Sequence, residues 1–340
     1  MRRAGAWRNK YMKIAILGDG GWGTTLAILL YQKGFPVSLW GAFPEYISYL
    51  KQKRINSRFL PGIKIPRPLE ITADLGSAIA SKDLIVLAIP SQYMRQVLKR
   101  AKTHYISKST AFLSVTKGLE IDTLQRMSQV IQDELGKVKL AVLSGPTIAY
   151  EVARGIPTTA VIASPDKNLR RLLARILNTD RFRIYTNDDV IGVELGGSLK
   201  NIIAIACGIS DGLGFGTNTK AALLSRGLAE ISRLGIKMGA KAKTFWGISG
   251  LGDLVTTCVS PFSRNRYLGE QIGKGKILKQ VLGRMKMAVE GVPTTQAAWR
   301  LAFKYKADMP ITKEVYLVLY KNKNPQTAVK DLMTRSLKEE

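Results

Sequence analysis

Short apolar runs alternate with longer amphipathic stretches along the first half of the chain. The short runs are rich in β-branched residues and predict buried strands over residues 13–17, 37–40, 84–89, 111–115, 140–143 and 159–163. Helical periodicity follows over 22–33 and 93–101, whereas the basic, proline-punctuated stretch 51–67 predicts a loop. Strands that alternate with helices predict an α/β fold with a parallel, doubly wound sheet.

The pattern changes near residue 190. Strand-like runs nearly vanish, and helical periodicity predicts helices over 190–207, 220–234, 241–246, 265–272 and 294–303. A chain of 340 residues is long for one hydrophobic core. We therefore predict an α/β domain over 12–190 and an all-α domain over 191–340. Residues 1–11 are basic, lack the apolar core of a secretory signal and predict a disordered extension.

The first predicted strand runs directly into a glycine motif of the form Gly-x-Gly-x-x-Gly. Gly18 permits a tight turn, Gly20 lets the backbone approach a pyrophosphate, and Gly23 permits close packing of helix on sheet. The amides at the start of the next helix then face the phosphates. The motif favours a dinucleotide site in a Rossmann-like domain over 12–190, and a purely structural turn is the alternative.

Composition excludes several classes of site. The only histidine is His104, so a zinc site with two histidines is impossible, and proton transfer would fall to lysine or carboxylates. Two cysteines form no disulfide framework and indicate a reducing cytoplasm. No apolar run approaches the ~20 residues that span a bilayer. We expect no bound metal, no specific nucleic acid and no transmembrane segment.

The net charge of +27 first suggests a nucleic-acid-binding protein. The basic residues are spread along the whole chain, however, and no nucleic-acid-binding motif is present. Acidic, phosphorylated substrates explain the charge more simply. The basic surface also predicts weak electrostatic contact with anionic membranes.

Lys200 is the strongest candidate for chemistry. Gly196, Gly197 and Ala204 share its face of the predicted helix, so little bulk flanks its side chain. A substrate could approach the ammonium group there, and a lysine in a partly closed site can have a lowered pKa and donate a proton to a carbonyl oxygen. The alternative is a helix-packing groove beside a lysine whose charged end reaches solvent.

Three further segments carry candidate binding groups. Lys117 and the pair Gly145 and Thr147 each follow a predicted strand, where an open α/β sheet binds its ligands. Asp253 lies in a glycine turn, although a carboxylate there also suits a helix cap. Ser263 can cap a helix that begins with Arg264 and Asn265, which suits a phosphate; a capped basic helix is equally compatible.

These segments together resemble the bacterial type of NAD(P)-dependent glycerol-3-phosphate dehydrogenase. The resemblance covers nearly everything from Met12 to about Arg335, and the ordered set of motifs is very specific. In chain order the matching stretches are 18–24 (Gly-Asp-Gly-Gly-Trp-Gly-Thr), 89–92 (Ile-Pro-Ser-Gln), 116–120 (Thr-Lys-Gly-Leu-Glu), 144–147 (Ser-Gly-Pro-Thr), 196–201 (Gly-Gly-Ser-Leu-Lys-Asn), 250–254 (Gly-Leu-Gly-Asp-Leu), 263–266 (Ser-Arg-Asn-Arg) and 289–291 (Val-Glu-Gly).

The resemblance implies a reversible reduction of dihydroxyacetone phosphate to sn-glycerol 3-phosphate, which supplies phospholipid synthesis, with Lys200 as general acid and base. The implied substrate contacts are Lys117, Gly145, Thr147, Lys200, Asp253, Ser263, Arg264 and Asn265. The expected cofactor contacts are Gly18, Gly20, Gly21, Trp22, Gly23, Lys117, Ala149, Arg264 and Glu290. The sequence leaves open a cytoplasmic homodimer.

Three departures from the family pattern concern ligand contacts. Gly21 and Thr147 each stand where the family often has serine. The end of the second strand, 39–43 (Leu-Trp-Gly-Ala-Phe), carries neither the acidic residue of an NAD site nor the arginine of an NADP site. Cofactor choice thus stays open between NADH and NADPH, and the basic residues nearby favour NADPH slightly.

Two other functions remain possible at this point. The nearest is a related two-domain dehydrogenase that acts on another phosphorylated or carboxylated hydroxy compound. A non-catalytic nucleotide-sensing protein is the other, and it would need no proton donor such as Lys200.

Overall fold

The computed structural model describes residues 12–285, 287–337 and 339. The extension predicted over 1–11 lies outside the described residues. An eight-stranded sheet occupies the first half, in the order β3-β2-β1-β4-β5-β6-β7-β8. Its strands are β1 Ile14–Leu17, β2 Val37–Trp40, β3 Glu70–Thr72, β4 Leu84–Leu87, β5 Ala111–Ser114, β6 Lys139–Ser144, β7 Thr158–Ala163 and β8 Phe182–Asn187.

Every strand pair in this sheet is parallel except β6 with β7. All six predicted strands are present, with ends shifted by two residues at most. The predicted set lacks β3 and β8, which are the two edges of the sheet. Edge strands are partly exposed and carry polar residues, so neither forms a continuous apolar run. The doubly wound α/β prediction is confirmed.

Helices cover both faces of the sheet. They are α1 Gly21–Gln32, α2 Pro44–Lys53, α3 Leu75–Ile79, α4 Met94–Lys102, α5 Met127–Leu135, α6 Ala149–Ala153 and α7 Lys167–Leu177. The predicted loop over 51–67 is wrong in its first three residues, because they form the last turn of α2. Proline at the first position of α2 starts that helix, and Arg54 in a left-handed conformation ends it.

The second half is helical, as predicted. Its helices are α8 Val190–Gly212, α9 Thr217–Lys237, α10 Ala242–Phe245, α11 Asp253–Val259, α12 Arg264–Gly273, α13 Leu278–Arg284, α14 Gly291–Lys304, α15 Pro310–Lys321 and α16 Pro325–Met333. One turn of π-helix, Ile248–Gly252, leads directly into α11. The sheet ends at Asn187 and α8 begins at Val190, but the division of domains at residue 190 stays a prediction.

Helix α8 forms the centre of the second half. Among the described residues it is the one helix long and apolar enough to cross a membrane, yet 83% of its most apolar window is buried inside the protein. Helices α9, α11, α12 and α14 all pack against it. Its apolar character is therefore that of a core helix, and it carries Lys200 into the interior.

Candidate active site

The glycine turn between β1 and α1 has the geometry that a dinucleotide requires. A side chain at Gly18 or Gly23 would collide with backbone carbonyls, of Ala88 and of Gly18 respectively, and Gly18 also has a φ of +121°. A Cβ at Gly20, in contrast, would meet nothing within 4 Å. The start of α1 has no side-chain cap, so its first amides are open to a ligand. These features fit a pyrophosphate.

Gly21 and Ala149 lie together beside this turn. A Cβ at Gly21 would stand 2.6 Å from the carbonyl oxygen of Phe59 and 3.6 Å from the Cβ of Ala149. The serine that the family often has at Gly21 would thus collide here with the loop after α2. Trp22 packs edge-on against Phe182, at 6.2 Å between ring centroids. Gly21 and Ala149 therefore lie side by side at the start of α1, and their contact with a cofactor stays a prediction.

Lys117 and Gly145 follow the carboxyl ends of neighbouring parallel strands, β5 and β6. The ammonium of Lys117 donates to the Gly145 carbonyl at 2.6 Å and to the Thr147 hydroxyl at 3.2 Å. Gly145 has a φ of +140°, which only glycine adopts readily, and this turns its carbonyl toward the lysine. The sheet edge thus brings these three predicted residues together.

Two lysines meet on one buried carboxylate. Lys117 donates to Oδ2 of Asp253 at 2.8 Å, and Lys200 donates to Oδ1 of the same residue. Asp253 is 1% exposed and is the first residue of α11. Its role is therefore not the capping of a helix. The predicted residues Lys117, Lys200 and Asp253 form one cluster, although 136 positions separate the first from the last.

Burial sets the charge state of Lys200. Removal from water, together with the nearby charge of Lys117, lowers the pKa of Lys200 to about 7, even though Asp253 opposes both effects. A lysine with this pKa populates both its charged and its neutral form near neutral pH. It can thus donate a proton in one direction of a reaction and accept one in the other.

The glycines beside Lys200 have a different role from the one expected. A Cβ at Gly196 would stand 2.6 Å from the Ser249 carbonyl, and one at Gly197 would collide with the Ser144 hydroxyl. The protein itself, rather than open space, fills these positions. The expected approach of a substrate along the glycine face of α8 is therefore wrong. The glycines let the π-helix and β6 pack against α8 around the lysine.

The start of α12 faces the same region. Ser263 caps this helix by accepting a hydrogen bond from the Arg266 amide at 3.2 Å, as predicted. The Asn265 side chain donates to Asn201 at 2.9 Å and accepts from the Gly291 amide at 2.9 Å. Asn201 in turn reaches the Lys117 carbonyl at 3.4 Å. This chain of amides fixes α12 relative to the lysine cluster.

Glu290 lies between the segments that follow β4 and β5. It accepts hydrogen bonds from the amide of Ser91, at 2.8 Å, and from the hydroxyl of Ser91. A Cβ at Gly118 would lie 2.6 Å from the Glu290 carboxylate, so that glycine is required for the contact. Arg264, on the other hand, donates to the Ala288 carbonyl near the same segment. Glu290 thus lies beside Gly118, which follows Lys117, and Arg264 is bonded to the segment that carries Glu290; their contact with a cofactor stays a prediction.

Thr257 is a site residue that the sequence analysis missed. It accepts a hydrogen bond from Lys200 at 2.6 Å and donates to the Asp253 carbonyl at 2.7 Å. It follows Asp253 by four residues on one helix face, and this spacing is the signal that could have identified it. Among the described residues, no group of three or more His, Cys, Asp or Glu side chains could hold a metal ion.

The chain is similar in sequence to known dehydrogenases. Residues 13–170 match the family model described as NAD-dependent glycerol-3-phosphate dehydrogenase N-terminus, and residues 189–330 match its C-terminus. The chain is 48% identical to glycerol-3-phosphate dehydrogenase [NAD(P)+] of Citrifermentans bemidjiense over 331 residues, which cover 96% of this chain and 98% of that protein. Identity to the Syntrophomonas wolfei enzyme of that name is 50%, with 96% of each chain covered.

A solved structure agrees with these matches. The crystal structure of glycerol-3-phosphate dehydrogenase from Coxiella burnetii superposes with a TM-score of 0.93 at 40% identity, and the match covers 96% of this chain and 100% of that one. Sequence identity of this order over nearly the whole length is decisive. The chain belongs to the family of NAD-dependent glycerol-3-phosphate dehydrogenases.

Proposed function

We propose that this protein catalyses the reversible, NAD(P)H-dependent reduction of dihydroxyacetone phosphate to sn-glycerol 3-phosphate, as its family membership implies. The observation that carries the proposal is the cluster of Lys117 and Lys200 on the buried carboxylate of Asp253, at the same sheet edge as the glycine turn. A proton donor with a pKa of about 7 thus lies close to where a dinucleotide fits.

The residues of the glycine turn would hold the cofactor, together with Ala149, Glu290, Arg264 and Lys117. When bound, a nicotinamide cofactor supplies the hydride for the substrate carbonyl. The amides of Gly21 and Trp22 at the start of α1 would bind the pyrophosphate. The groups that the protein supplies at the glycine turn are mainly backbone amides. They would position the cofactor and take no part in proton transfer.

Lys200 performs the proton transfer in this proposal. Hydride addition to a ketone produces an alkoxide, and the Lys200 ammonium donates a proton to that oxygen as charge develops. Asp253 is a positioning residue, because it holds Lys200 and Lys117 through separate oxygens. The positive charge of Lys117 stabilises the developing negative charge. In the oxidation direction the neutral amine of Lys200 takes the proton back.

The start of α12 would bind the substrate phosphate. The helix has ten residues, and its free amides, the Ser263 hydroxyl and the Arg264 guanidinium are close in sequence and lie at its first turn. Asn265 is tied to Asn201 and therefore to the lysine cluster. A phosphate held at α12 would place the ketone of a three-carbon substrate toward Lys200.

The direct test compares dihydroxyacetone phosphate with unphosphorylated dihydroxyacetone, each with NADH and NADPH, by the loss of nicotinamide absorbance. We expect turnover with the phosphorylated ketone and a far lower kcat/KM without the phosphate. Equal kcat/KM for both ketones would contradict the proposed role of α12. Absence of turnover with any combination, in protein that binds the cofactor, would overturn the proposed activity.

We further propose a cytoplasmic homodimer whose basic surface contacts anionic membranes weakly, near the lipid synthesis that its product feeds. The net charge of +27 supports the membrane contact. Sedimentation of the protein alone and with anionic vesicles at low salt tests the two points. A monomer, or protein that stays in the supernatant, would contradict the respective point.

A further inference from the structure

The carboxyl group of Asp19 lies at the end of strand β2. This strand ends at Trp40, and Gly41 follows. A Cβ built on Gly41 would stand 2.5 Å from Cγ of Asp19 and 2.7 Å from its Oδ2. The space that a side chain at Gly41 would fill is therefore already occupied by the carboxyl group of Asp19, which arrives from the glycine turn.

This space has a defined role in dinucleotide-binding sheets. An acidic residue about twenty positions after the glycine motif, at the end of the second strand, usually accepts a hydrogen bond from the adenosine ribose. Gly41, Ala42 and Phe43 carry no charge there. We propose that Asp19 supplies the missing carboxylate and makes NADH the preferred cofactor. The inference rests on the proposed function only in requiring a bound dinucleotide.

One oxygen of this carboxyl group has no hydrogen-bond partner in the part of the protein that the structure describes. Oδ2 of Asp19 is shielded from solvent, and no donor among the described residues reaches it. Burial raises the pKa of Asp19, while a hydrogen bond from its own backbone amide and the charge of Arg58 oppose this effect. A buried acceptor without a donor is unfavourable, and the hydroxyl groups of a ribose are donors of the required kind.

The backbone of Asp19 is fixed by the loop after α2. Asn56, which is fully buried, donates to the Asp19 carbonyl at 2.8 Å and to the Thr24 hydroxyl at 2.7 Å. The Tyr46 hydroxyl donates to the side-chain oxygen of Asn56 at 2.7 Å. This network binds the main chain of the turn and so fixes the backbone from which the Asp19 side chain reaches Gly41.

A phosphate on the 2′-hydroxyl would meet this carboxylate as a like charge. Arg58 is the cation whose charge opposes this repulsion, and it lowers the pKa of Asp19. Its guanidinium carbon lies 5.9 Å from the Tyr46 ring centroid and 5.2 Å from that of Phe59, and its side chain is exposed. An exposed cation is weakened by solvent and salt, so the Asp19 carboxylate dominates. This proposal replaces the slight preference for NADPH that the basic residues suggested.

The experiment measures binding by isothermal titration calorimetry, with ADP-ribose and 2′-phospho-ADP-ribose as probes that contain no nicotinamide. We expect the unmodified protein to bind ADP-ribose at least about tenfold more tightly, because one charge-assisted contact is gained and one repulsion avoided. Asp19→Asn keeps the size and should reduce the ratio about tenfold. The amide introduced by Asp19→Asn can itself form new hydrogen bonds. Asp19→Ala, checked for an unchanged Tm, is therefore the second variant.

Two matched variants identify the group responsible. Glu45→Gln removes an exposed carboxylate on α2 and should leave the ratio unchanged; a reduced ratio in this variant would overturn the assignment to Asp19. Arg58→Ala should increase the preference for ADP-ribose that the unmodified protein already shows. If the unmodified protein instead prefers 2′-phospho-ADP-ribose and Arg58→Ala abolishes that preference, Arg58 is the 2′-phosphate ligand and the inference is refuted. Binding of both probes without preference refutes the inference alone. Binding of neither probe contradicts the proposed function.

Discussion

The glycine turn, which is the cofactor end of the site, and the lysine cluster, which is its catalytic end, differ in how they present polar groups. At the cofactor end, six consecutive residues from Gly18 to Gly23 offer backbone amides, with open space beside Gly20 and Asp19 as the charged side chain. At the catalytic end, Lys117 and Lys200 share one carboxylate that is 1% exposed. The first end is local and made of main chain; the second is distant in sequence and made of side chains.

This difference predicts which changes each end tolerates. A binding site made of backbone amides depends on the free space beside those amides. An added methyl group therefore affects ligand binding or packing but leaves the proton-transfer groups intact. A side-chain site depends on charge and on proton positions, so loss of one ammonium group removes a step of the reaction. Variants at the two ends should therefore separate cofactor affinity from turnover.

The largest effect is expected for Lys200→Ala. Loss of the proton donor should reduce turnover on the order of a hundredfold or more, while NADH affinity, measured by fluorescence titration, stays nearly unchanged. Lys139→Ala, which removes an exposed lysine at the start of β6, is the matched control and should retain full activity. Turnover near that of the unmodified protein would exclude Lys200 as the general acid.

A smaller effect is expected for Arg264→Ala. Removal of a charge-assisted contact of about 1.5–3 kcal/mol should raise the KM for dihydroxyacetone phosphate roughly 10- to 150-fold, with a lesser change in kcat. Steady-state kinetics with the substrate varied at saturating cofactor measures this. Unphosphorylated dihydroxyacetone provides the control, because its poor KM should not change. An unchanged KM for the phosphorylated substrate would place the phosphate elsewhere.

The pH dependence should report the lysine directly. With the pKa of Lys200 lowered to about 7, ketone reduction needs its protonated form and should fall about tenfold per unit of pH above that value. Alcohol oxidation needs the neutral amine, so it should rise about tenfold per unit of pH up to about pH 7 and level off above that value. Profiles of kcat in both directions test this pair of slopes. Residual activity of Lys200→Ala should lack both inflections.

The smallest effect concerns two neighbouring glycines of the turn. Gly21→Ala places a Cβ 2.6 Å from the Phe59 carbonyl, so we expect overpacking of about 1–3 kcal/mol and a lower Tm. Gly20→Ala meets nothing within 4 Å and should leave the Tm unchanged, while weakening the binding of NADH because the methyl group blocks the pyrophosphate. Equal Tm values for the two variants would contradict the packing argument.

Much of the fold was predictable because the central strands are buried on both faces. Strands such as β1 and β4 read as continuous apolar runs, and the glycine turn is a local signal. The edge strands β3 and β8 gave no such signal, since each is partly exposed. The sequence shows Gly196 and Gly197 beside Lys200, but it does not show whether a ligand or the protein fills the space beside them. The residues that fill it, Ser249 and Ser144, come from other segments of the chain.

The sequence by itself determined the family, the largely parallel sheet, the glycine turn and the residue types of the site, because each is encoded in local patterns or ordered motifs. Only the tertiary structure decided that Asp253 pairs with two lysines, that Thr257 joins them and that Asp19 occupies the space beside Gly41. These contacts join residues from separate strands and helices. Their distances, and the burial that sets the pKa of Lys200, exist only once the chain has folded.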